Sequence, residues 1–126
     1  MRLKQSNLVI GLGNNNNKGI EDGDYKGKII NVALKLDQVT SYGFKNILDI
    51  EVEIDLLVTT MNKKTSYYVS DNINSRFFIF LNDMKIDTSE EVFDIDTLVG
   101  RNVNVIIKNN TVNGTTYSNI ERIIAI

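Results

Sequence analysis

The sequence predicts a mainly β protein, a five-stranded barrel with one short helix between its third and fourth strands. Three observations support this prediction. Apolar and polar residues alternate in several segments of the 126-residue chain, which is typical of strands with one buried face. A stretch between these segments has helical spacing instead. The first β segment is long and changes its apolar face partway, so it can bend and serve two parts of a sheet.

The first 24 residues are predicted to be a flexible N-terminal leader, and residues 25–126 to be the barrel domain. The leader contains GLGNNNNKG at residues 11–19, whose glycines raise the question of a phosphate-binding loop. A dinucleotide-binding loop needs a third glycine where Asn16 stands, and a P-loop needs Gly-Lys-Ser/Thr where the chain has Lys18-Gly19. We interpret the stretch as a polar connection, and we expect it to let the apolar segment 8–10 reach another subunit.

The first two predicted strands follow the leader. The first covers residues 25–36, where the apolar positions change from odd to even between Ile29 and Ile30, just after Gly27. Such a change predicts a bulge and a bend. Residues 37–46 are predicted to be a loop. The second strand covers residues 48–56, because its even positions are apolar while the odd positions between them are acidic.

A turn, a third strand and the helix come next. Residues 59–65, TTMNKKT, are predicted to be a turn, and residues 66–70 a short strand. The helix is predicted within SDNINSRFFIFLNDM, which offers Ser75 among several N-cap candidates. Its apolar residues have helical spacing: Phe77, Phe80, Leu81 and Met84.

The last part of the chain is predicted to be a connection and a hairpin. Residues 85–100 are the connection, and alternation over residues 103–108 predicts the fourth strand. The sequence NNTVNG is typical of a hairpin turn. Residues 115–126 are the fifth strand, with Ile120, Ile124 and Ile126 on one face.

This order of elements, with its long bent first strand, is the order of an OB-fold barrel. A barrel also protects strand edges that would otherwise favour aggregation. The alternative is a sandwich of six or seven strands in which the leader supplies a strand.

Composition excludes several classes of function. The chain has no cysteine and no histidine, so it lacks thiolate zinc ligands, thiol nucleophiles and the commonest general base. Its formal net charge of −2 gives no overall attraction to nucleic acid, so any such binding needs a local basic patch. No apolar run approaches the length of a membrane span. We therefore predict a protein that is not an enzyme, with no catalytic residues, no metal, no cofactor and no membrane association.

From Tyr25 to the end, the chain resembles the small OB-fold single-stranded-DNA-binding proteins of bacteriophages and conjugative elements. The resemblance lies in DYKGKIINV at the start of the domain, in the helix SRFFIFLNDM, and in FDIDTLVGRNVNVIIKNN followed by GTTYSNIERI. It implies sequence-tolerant binding of single-stranded DNA, or of RNA, in replication, recombination or transfer. It also implies a protein that self-associates in the cytoplasm of a bacterial host cell. Unlike the bacterial housekeeping proteins of this kind, the chain has no tryptophan.

Single-strand binding needs aromatic faces for the bases and cations for the phosphates. In an OB-fold the groove crosses the second and third strands and is flanked by the loops before the second and fifth strands. Tyr42 and Phe44 are the strongest candidates. Tyr67 and Tyr68 are neighbours in a strand, so we expect one in the core and one in the groove. The full set of candidates is Tyr42, Phe44, Lys45, Lys63, Lys64, Tyr67, Tyr68, Arg101, Lys108 and Tyr117.

One feature of the second strand opposes this prediction. Its polar face is a row of carboxylates, which repel phosphate: Asp49, Glu51, Glu53 and Asp55. We interpret the row as a solvent-exposed face paired with lysines of neighbouring strands, which moves the binding path toward the loops and the third strand. The alternative prediction is an OB-fold protein-interaction module whose acidic strand binds a basic partner.

Overall fold

Five strands form one antiparallel sheet in the computed structural model, which describes residues 1–5 and 20–126. The elements are β1 (Arg2–Lys4), β2 (Gly23–Thr40), β3 (Gly43–Asp55), β4 (Thr60–Tyr68), α1 (Arg76–Asp83), β5 (Val92–Asp94), a 3₁₀ helix (Ile95–Leu98), β6 (Asn102–Val112) and β7 (Thr115–Ala125). Across the sheet the strand order is β4-β3-β2-β6-β7, and β1 and β5 form a separate pair. The mainly β class is therefore confirmed. The stretch GLGNNNNKG and the apolar segment 8–10 lie outside the described residues.

The central strand β2 contains the predicted bulge. Its first part pairs with β6, and most of its length pairs with β3. Ile29 and Asn31 stand opposite the adjacent β3 residues Val52 and Glu51, so Ile30 is an extra residue in β2. A bulge of this kind bends a strand, and the prediction made from the change of apolar face is confirmed.

Gly27 allows both neighbours of β2 to approach it closely. It stands opposite Ile54 of β3 and Val103 of β6. A Cβ at this position would lie 2.9 Å from the backbone oxygen of Glu53 and 3.2 Å from Val105 Cγ2. The missing side chain is therefore a packing requirement at the point where three strands meet.

The predicted loop at residues 37–46 is wrong, because these residues extend β2 and β3 into a hairpin. β2 continues to Thr40 and β3 begins at Gly43, so the turn has two residues. The Thr40 hydroxyl donates to the Gly43 carbonyl at 2.7 Å and accepts from the Tyr42 amide at 3.1 Å. A second bulge, between Lys35 and Gln38, interrupts the alternation that would otherwise have revealed the strand.

The third strand of the sheet begins earlier than predicted. β4 starts at Thr60, within the predicted turn. Its inward positions include Met61, Lys63 and Tyr67, which are all buried. Lys63 occupies a position where a strand with one buried face would normally have an apolar residue. The alternation that identifies a strand is therefore interrupted in the sequence of β4.

β4 and β7 are the edges of the sheet. No backbone ladder joins them in the described part of the chain, so the sheet is not closed as a barrel. Side chains bridge the two edges instead. Lys63 Nζ of β4 donates to the carbonyl oxygen of Ser118 in β7 at 2.9 Å. The guanidinium of Arg76, at the start of α1, donates to the carbonyl oxygens of Ser66 in β4 at 2.8 Å and of Ile120 in β7 at 3.1 Å.

The short helix that the sequence predicts is present. Ser75 is its N-cap and accepts a hydrogen bond from the amide of Phe78 at 3.1 Å. The helix contacts both β4 and β7, and Asp83 near its end accepts two hydrogen bonds from Arg122 of β7, at 2.5 and 2.9 Å. All four predicted apolar positions are buried: Phe77, Phe80, Leu81 and Met84.

The predicted apolar face of the last strand is wrong beyond Ile120. Two adjacent residues of β6 pair with residues 120 and 122, so Glu121 is an extra residue in β7. A bulge exchanges the faces of the strand that follows it. Accordingly Ile123 is 1% exposed, whereas Ile124 is half-buried and Ile126 is 64% exposed.

Residues 1–5 belong to the predicted flexible leader, but the structure places them on the core. β1 pairs in parallel with β5, which lies in the predicted connection after the helix. Leu3 is part of the buried cluster formed by the sheet. Gln5 donates to the carbonyl of Val32 at 2.7 Å and accepts from the amide of Leu34 at 3.0 Å. The start of the chain therefore supplies a strand, as in the alternative sandwich prediction.

Candidate nucleic-acid interface

A groove of about 860 Å³ runs along β2, β3 and β4 to the start of α1. We call it the first groove. Its lining includes three tyrosines, four cations and one carboxylate: Tyr42, Tyr67, Tyr68, Lys35, Lys45, Lys64, Arg76 and Asp49. The groove therefore combines aromatic rings with a local excess of positive charge, in a chain whose net charge is −2.

Two exposed tyrosines stand side by side in the first groove. Tyr42, in the turn between β2 and β3, is 75% exposed, and Tyr68, at the end of β4, is 45% exposed. Their ring centroids are 6.3 Å apart and their planes are inclined at 73°, an edge-to-face pair. Such a pair leaves ring faces uncovered, so a planar group can stack on it.

The prediction that one of the two neighbouring tyrosines is buried is confirmed. Tyr67 is 3% exposed and stacks on Phe80, with ring centroids 4.7 Å apart. The guanidinium carbon of Arg76 lies 4.5 Å from the centre of the Tyr67 ring. Burial raises the pKa of Tyr67 to about 12, although the charge of Arg76 opposes the increase. Tyr67 is thus a core residue beneath the groove, and Tyr68 is the available partner.

Some charged side chains of the first groove form internal contacts and others do not. Asp49 is 4% exposed; its carboxylate lies 2.8 Å from Lys35 Nζ and also accepts a hydrogen bond from Ser66. In the described part of the chain, neither Lys45 nor Lys64 forms an ion pair. These two lysines can therefore meet an anion without first breaking an internal pair.

The interpretation of the acidic row as a solvent-exposed face is wrong for half of its members. Asp49 and Glu51 are 4% and 5% exposed, Glu53 is half-buried and Asp55 is exposed. The reason is that β3 lies between β2 and β4, so side chains of both neighbours flank its polar face. The expected pairing with a lysine occurs at Asp49, through Lys35. The row therefore presents less negative charge to solvent than the sequence indicates.

The structure separates Phe44 from the first groove, although the sequence predicts that it acts together with Tyr42. Phe44 is 74% exposed and pairs with Val39, whereas the next residue, Lys45, pairs with Gln38. Consecutive strand residues face opposite sides, and Lys45 and Gln38 both line the groove. Phe44 and Val39 therefore form an apolar patch on the other side of the hairpin.

A second groove, of about 560 Å³, adjoins the first. Lys64 and Arg76 line both grooves, and Lys108 lines the second. Tyr117 is 47% exposed and stands opposite Asn110 in the β6–β7 hairpin, next to this groove. The fold thus brings predicted residues of the third strand and of the final hairpin onto one connected surface.

Two further predicted residues lie away from this surface. Lys63 is 8% exposed, and its amino group is held at the Ser118 carbonyl. Burial lowers the pKa of Lys63. Arg101 is exposed and precedes β6 at the end far from the hairpin, where its backbone carbonyl accepts from the Ile29 amide at 3.1 Å.

Arg76 is a groove residue that the sequence did not indicate, as is Lys35. A cation in the first turn of a helix is disfavoured by the helix dipole, yet Arg76 directly follows the N-cap Ser75. That unfavourable position is the signal that could have identified it. The guanidinium also donates to the Thr65 hydroxyl at 3.0 Å, so it joins the two sheet edges and reaches both grooves.

Arg76→Ala is expected to lower the free energy of unfolding by about 1–3 kcal/mol, because edge carbonyls lose their donor and Tyr67 loses a cation–π contact. Urea unfolding measures this change. Arg76→Lys keeps the positive charge but lacks the planar guanidinium with its several donors. It should therefore recover less than half of the lost free energy of unfolding.

The matched control is Arg101→Ala, which removes an exposed arginine whose side chain forms no hydrogen bond within the described residues. It should change the free energy of unfolding by less than about 0.5 kcal/mol. Equal unfolding midpoints for the Arg76 and Arg101 variants would contradict the bridging role of Arg76.

Comparison with protein-family models gave no match, and comparison with curated proteins found no significantly similar sequence. No helix within residues 1–5 and 20–126 is long and apolar enough to cross a membrane. In the same residues, no group of three or more histidine, cysteine, aspartate or glutamate side chains could hold a metal ion. Function is therefore inferred from the two grooves.

Proposed function

We propose that this chain binds single-stranded DNA with little dependence on base sequence. The observation that carries the proposal is the first groove, where the exposed rings of Tyr42 and Tyr68 adjoin Lys45 and Lys64. Bases of any kind can stack on aromatic faces, and lysines that form no ion pair with another described residue can contact the phosphates between them. The second groove extends this surface toward Lys108.

We also propose that the five-stranded sheet is an OB-fold. Its strand order and its bent, doubly paired β2 are consistent with the partly open Greek-key barrel of that fold. The side-chain bridges of Lys63 and Arg76 between the edges are also compatible with such a barrel. The OB-fold binding face lies on its second and third strands, which would correspond to β3 and β4.

The resemblance of residues 25–126 to proteins of phages and conjugative elements supports a role in the replication, recombination or transfer of a mobile element. The competing function, binding of a basic protein by the acidic strand, has weaker support. Asp49 and Glu51 are buried, so only Glu53 and Asp55 remain for a partner.

Titration with an oligo(dT) of about 12 nucleotides, a length within the range that single OB-folds cover, tests the proposed function. Binding should quench the fluorescence of the tyrosines and weaken with salt. Contacts from Lys45, Lys64 and Lys108 to three phosphates predict a slope of about −2 for log K against log salt concentration. Lack of quenching at low salt would show that the proposed function is wrong. Oligo(U) in the same titration measures the preference between DNA and RNA.

The variant Lys45→Gln/Lys64→Gln should bring the salt slope about 1.4 closer to zero, because two phosphate contacts are lost. Lys26→Gln/Lys28→Gln is the matched control. It removes the same charge from exposed positions of β2 that line neither groove. An equal change of slope in both double variants would mean that general electrostatic attraction, and not the first groove, determines binding.

A further inference from the structure

The outward face of the β6–β7 hairpin carries four polar side chains in one cluster. Lys108 stands opposite Asn119, and Asn110 stands opposite Tyr117, two residues further along each strand. Side chains two residues apart share a face of a strand, so all four lie on the same side. Each of the four is exposed.

The opposite face of the same hairpin holds it in place. Asn109 accepts from Ser118, and its backbone and side-chain amides both donate to Asp22 at 2.7 Å. Its side chain also donates to the carbonyl of Ile20 at 2.8 Å. Asn109 therefore anchors the hairpin, together with Ser118, whose hydroxyl accepts from the Ile20 amide at 2.9 Å. The outward amides of Asn110 and Asn119 do not share this role.

The outward side chains remain available to a ligand. Within the described residues, no side-chain hydrogen bond is formed by Lys108, Asn110, Tyr117 or Asn119. The ring of Tyr117 can stack a base, and Lys108 can contact a phosphate. A carboxamide offers a donor and an acceptor side by side, the pattern that matches N7 and N6 of adenine.

This composition differs from that of the first groove. The exposed groups around Tyr42 and Tyr68 are mainly rings and cations, which accept any base. The hairpin adds two amides beside Tyr117. Asn110 stands directly opposite it, where Cβ atoms are about 5 Å apart, and Asn119 shares its face two residues along the same strand, about 7 Å away. Guanine presents two acceptors at the same edge, and the pyrimidines lack this edge, so the amides distinguish adenine from the other bases.

We propose that Asn110 and Asn119 read the N6/N7 edge of a base stacked on Tyr117, and so give the bound strand a preference for adenine at one position. This inference rests on the proposed binding of single-stranded DNA. Most of the strand is then bound without sequence preference, and one end of it is read.

A base scan tests the inference. A fluorescently labelled dT oligomer of about 12 nucleotides carries a single dA, which is moved along the strand one position at a time. At one position near one end, dA should tighten binding about fivefold relative to all-dT, the lower end of what a bidentate amide contact contributes. Replacement of that dA by 7-deaza-deoxyadenosine, which lacks N7, should abolish the gain.

The variant Asn110→Ser/Asn119→Ser keeps polar side chains that are too short and cannot form a bidentate contact. It should lose the preference for dA while its affinity for all-dT stays within about twofold, because the amides contribute to base reading and not to stacking. Asn82→Ser is the matched control, an exposed asparagine of α1 that lines neither groove, and it should keep the preference.

The outcomes separate the two proposals. If all-dT does not bind, the proposed function is wrong and the inference fails with it. If all-dT binds but the scan is flat, the function stands and adenine reading is wrong. Adenine reading by these amides is also wrong if the preference persists in the Asn110/Asn119 variant or with 7-deaza-deoxyadenosine.

Discussion

The variant Tyr42→Ala/Tyr68→Ala is expected to bind oligo(dT) at least about 30-fold more weakly than the unchanged chain. Each aromatic residue stacked on a base contributes roughly 1–3 kcal/mol, so the loss of two rings costs about 2 kcal/mol at the lower limit. Both rings are exposed and line the same groove, and their removal should leave the fold intact. Anisotropy of a labelled oligonucleotide measures the affinity without relying on the tyrosine signal.

Phe44→Ala is the control for this variant. Phe44 is as exposed as Tyr42 and only two residues away, but it faces the other side of the hairpin with Val39. Its replacement should change the affinity by less than about threefold, since stacking needs a ring that faces the bound strand. A loss as large as that of the double tyrosine variant would contradict the assignment of binding to the first groove.

Ile123→Ala is expected to lower the free energy of unfolding by about 2–5 kcal/mol, the usual cost of truncating a buried isoleucine. Ile123 is 1% exposed and belongs to the main hydrophobic cluster. Ile124→Ala should cost less than half as much, because Ile124 is only half-buried. Urea or thermal unfolding of the two variants measures this difference.

Comparison of the Ile123→Ala and Ile124→Ala variants tests the bulge at Glu121 directly. Uninterrupted alternation from Ile120 would bury Ile124 and expose Ile123, so the order of the two effects would be reversed. If Ile124→Ala is the more destabilising variant, the register described for β7 is wrong.

Local signals in the sequence were sufficient for several elements. Strict alternation identified β3, and the sequence Asn113-Gly114 identified the β6–β7 turn, where both residues have positive φ, at 51° and 80°. The N-cap Ser75 and the spacing of the apolar residues identified the helix. In each case the residues that specify the conformation lie within a few positions of one another.

The candidate site was predictable in part for the same reason. Tyr42, Lys45, Lys64 and Tyr68 line the first groove and were selected because exposed aromatic and basic residues occur in the expected segments. Arg76 was missed because its role depends on β7, whose Ile120 carbonyl lies 44 residues away in the chain.

Local sequence patterns specify the β class, the bulge near Ile30, the helix and the last hairpin, because periodicity and turn chemistry act over short distances along the chain. Three other features are visible only in the folded chain: which carboxylates of β3 are buried, which face Phe44 occupies, and the packing of residues 1–5 on the core. These features depend on which strands are neighbours and in which register they pair. A shift of one residue moves a side chain from one face of the sheet to the other. The bulge near Ile30 is visible as a change of apolar face, but the bulges after Lys35 and at Glu121 leave little trace in the local pattern.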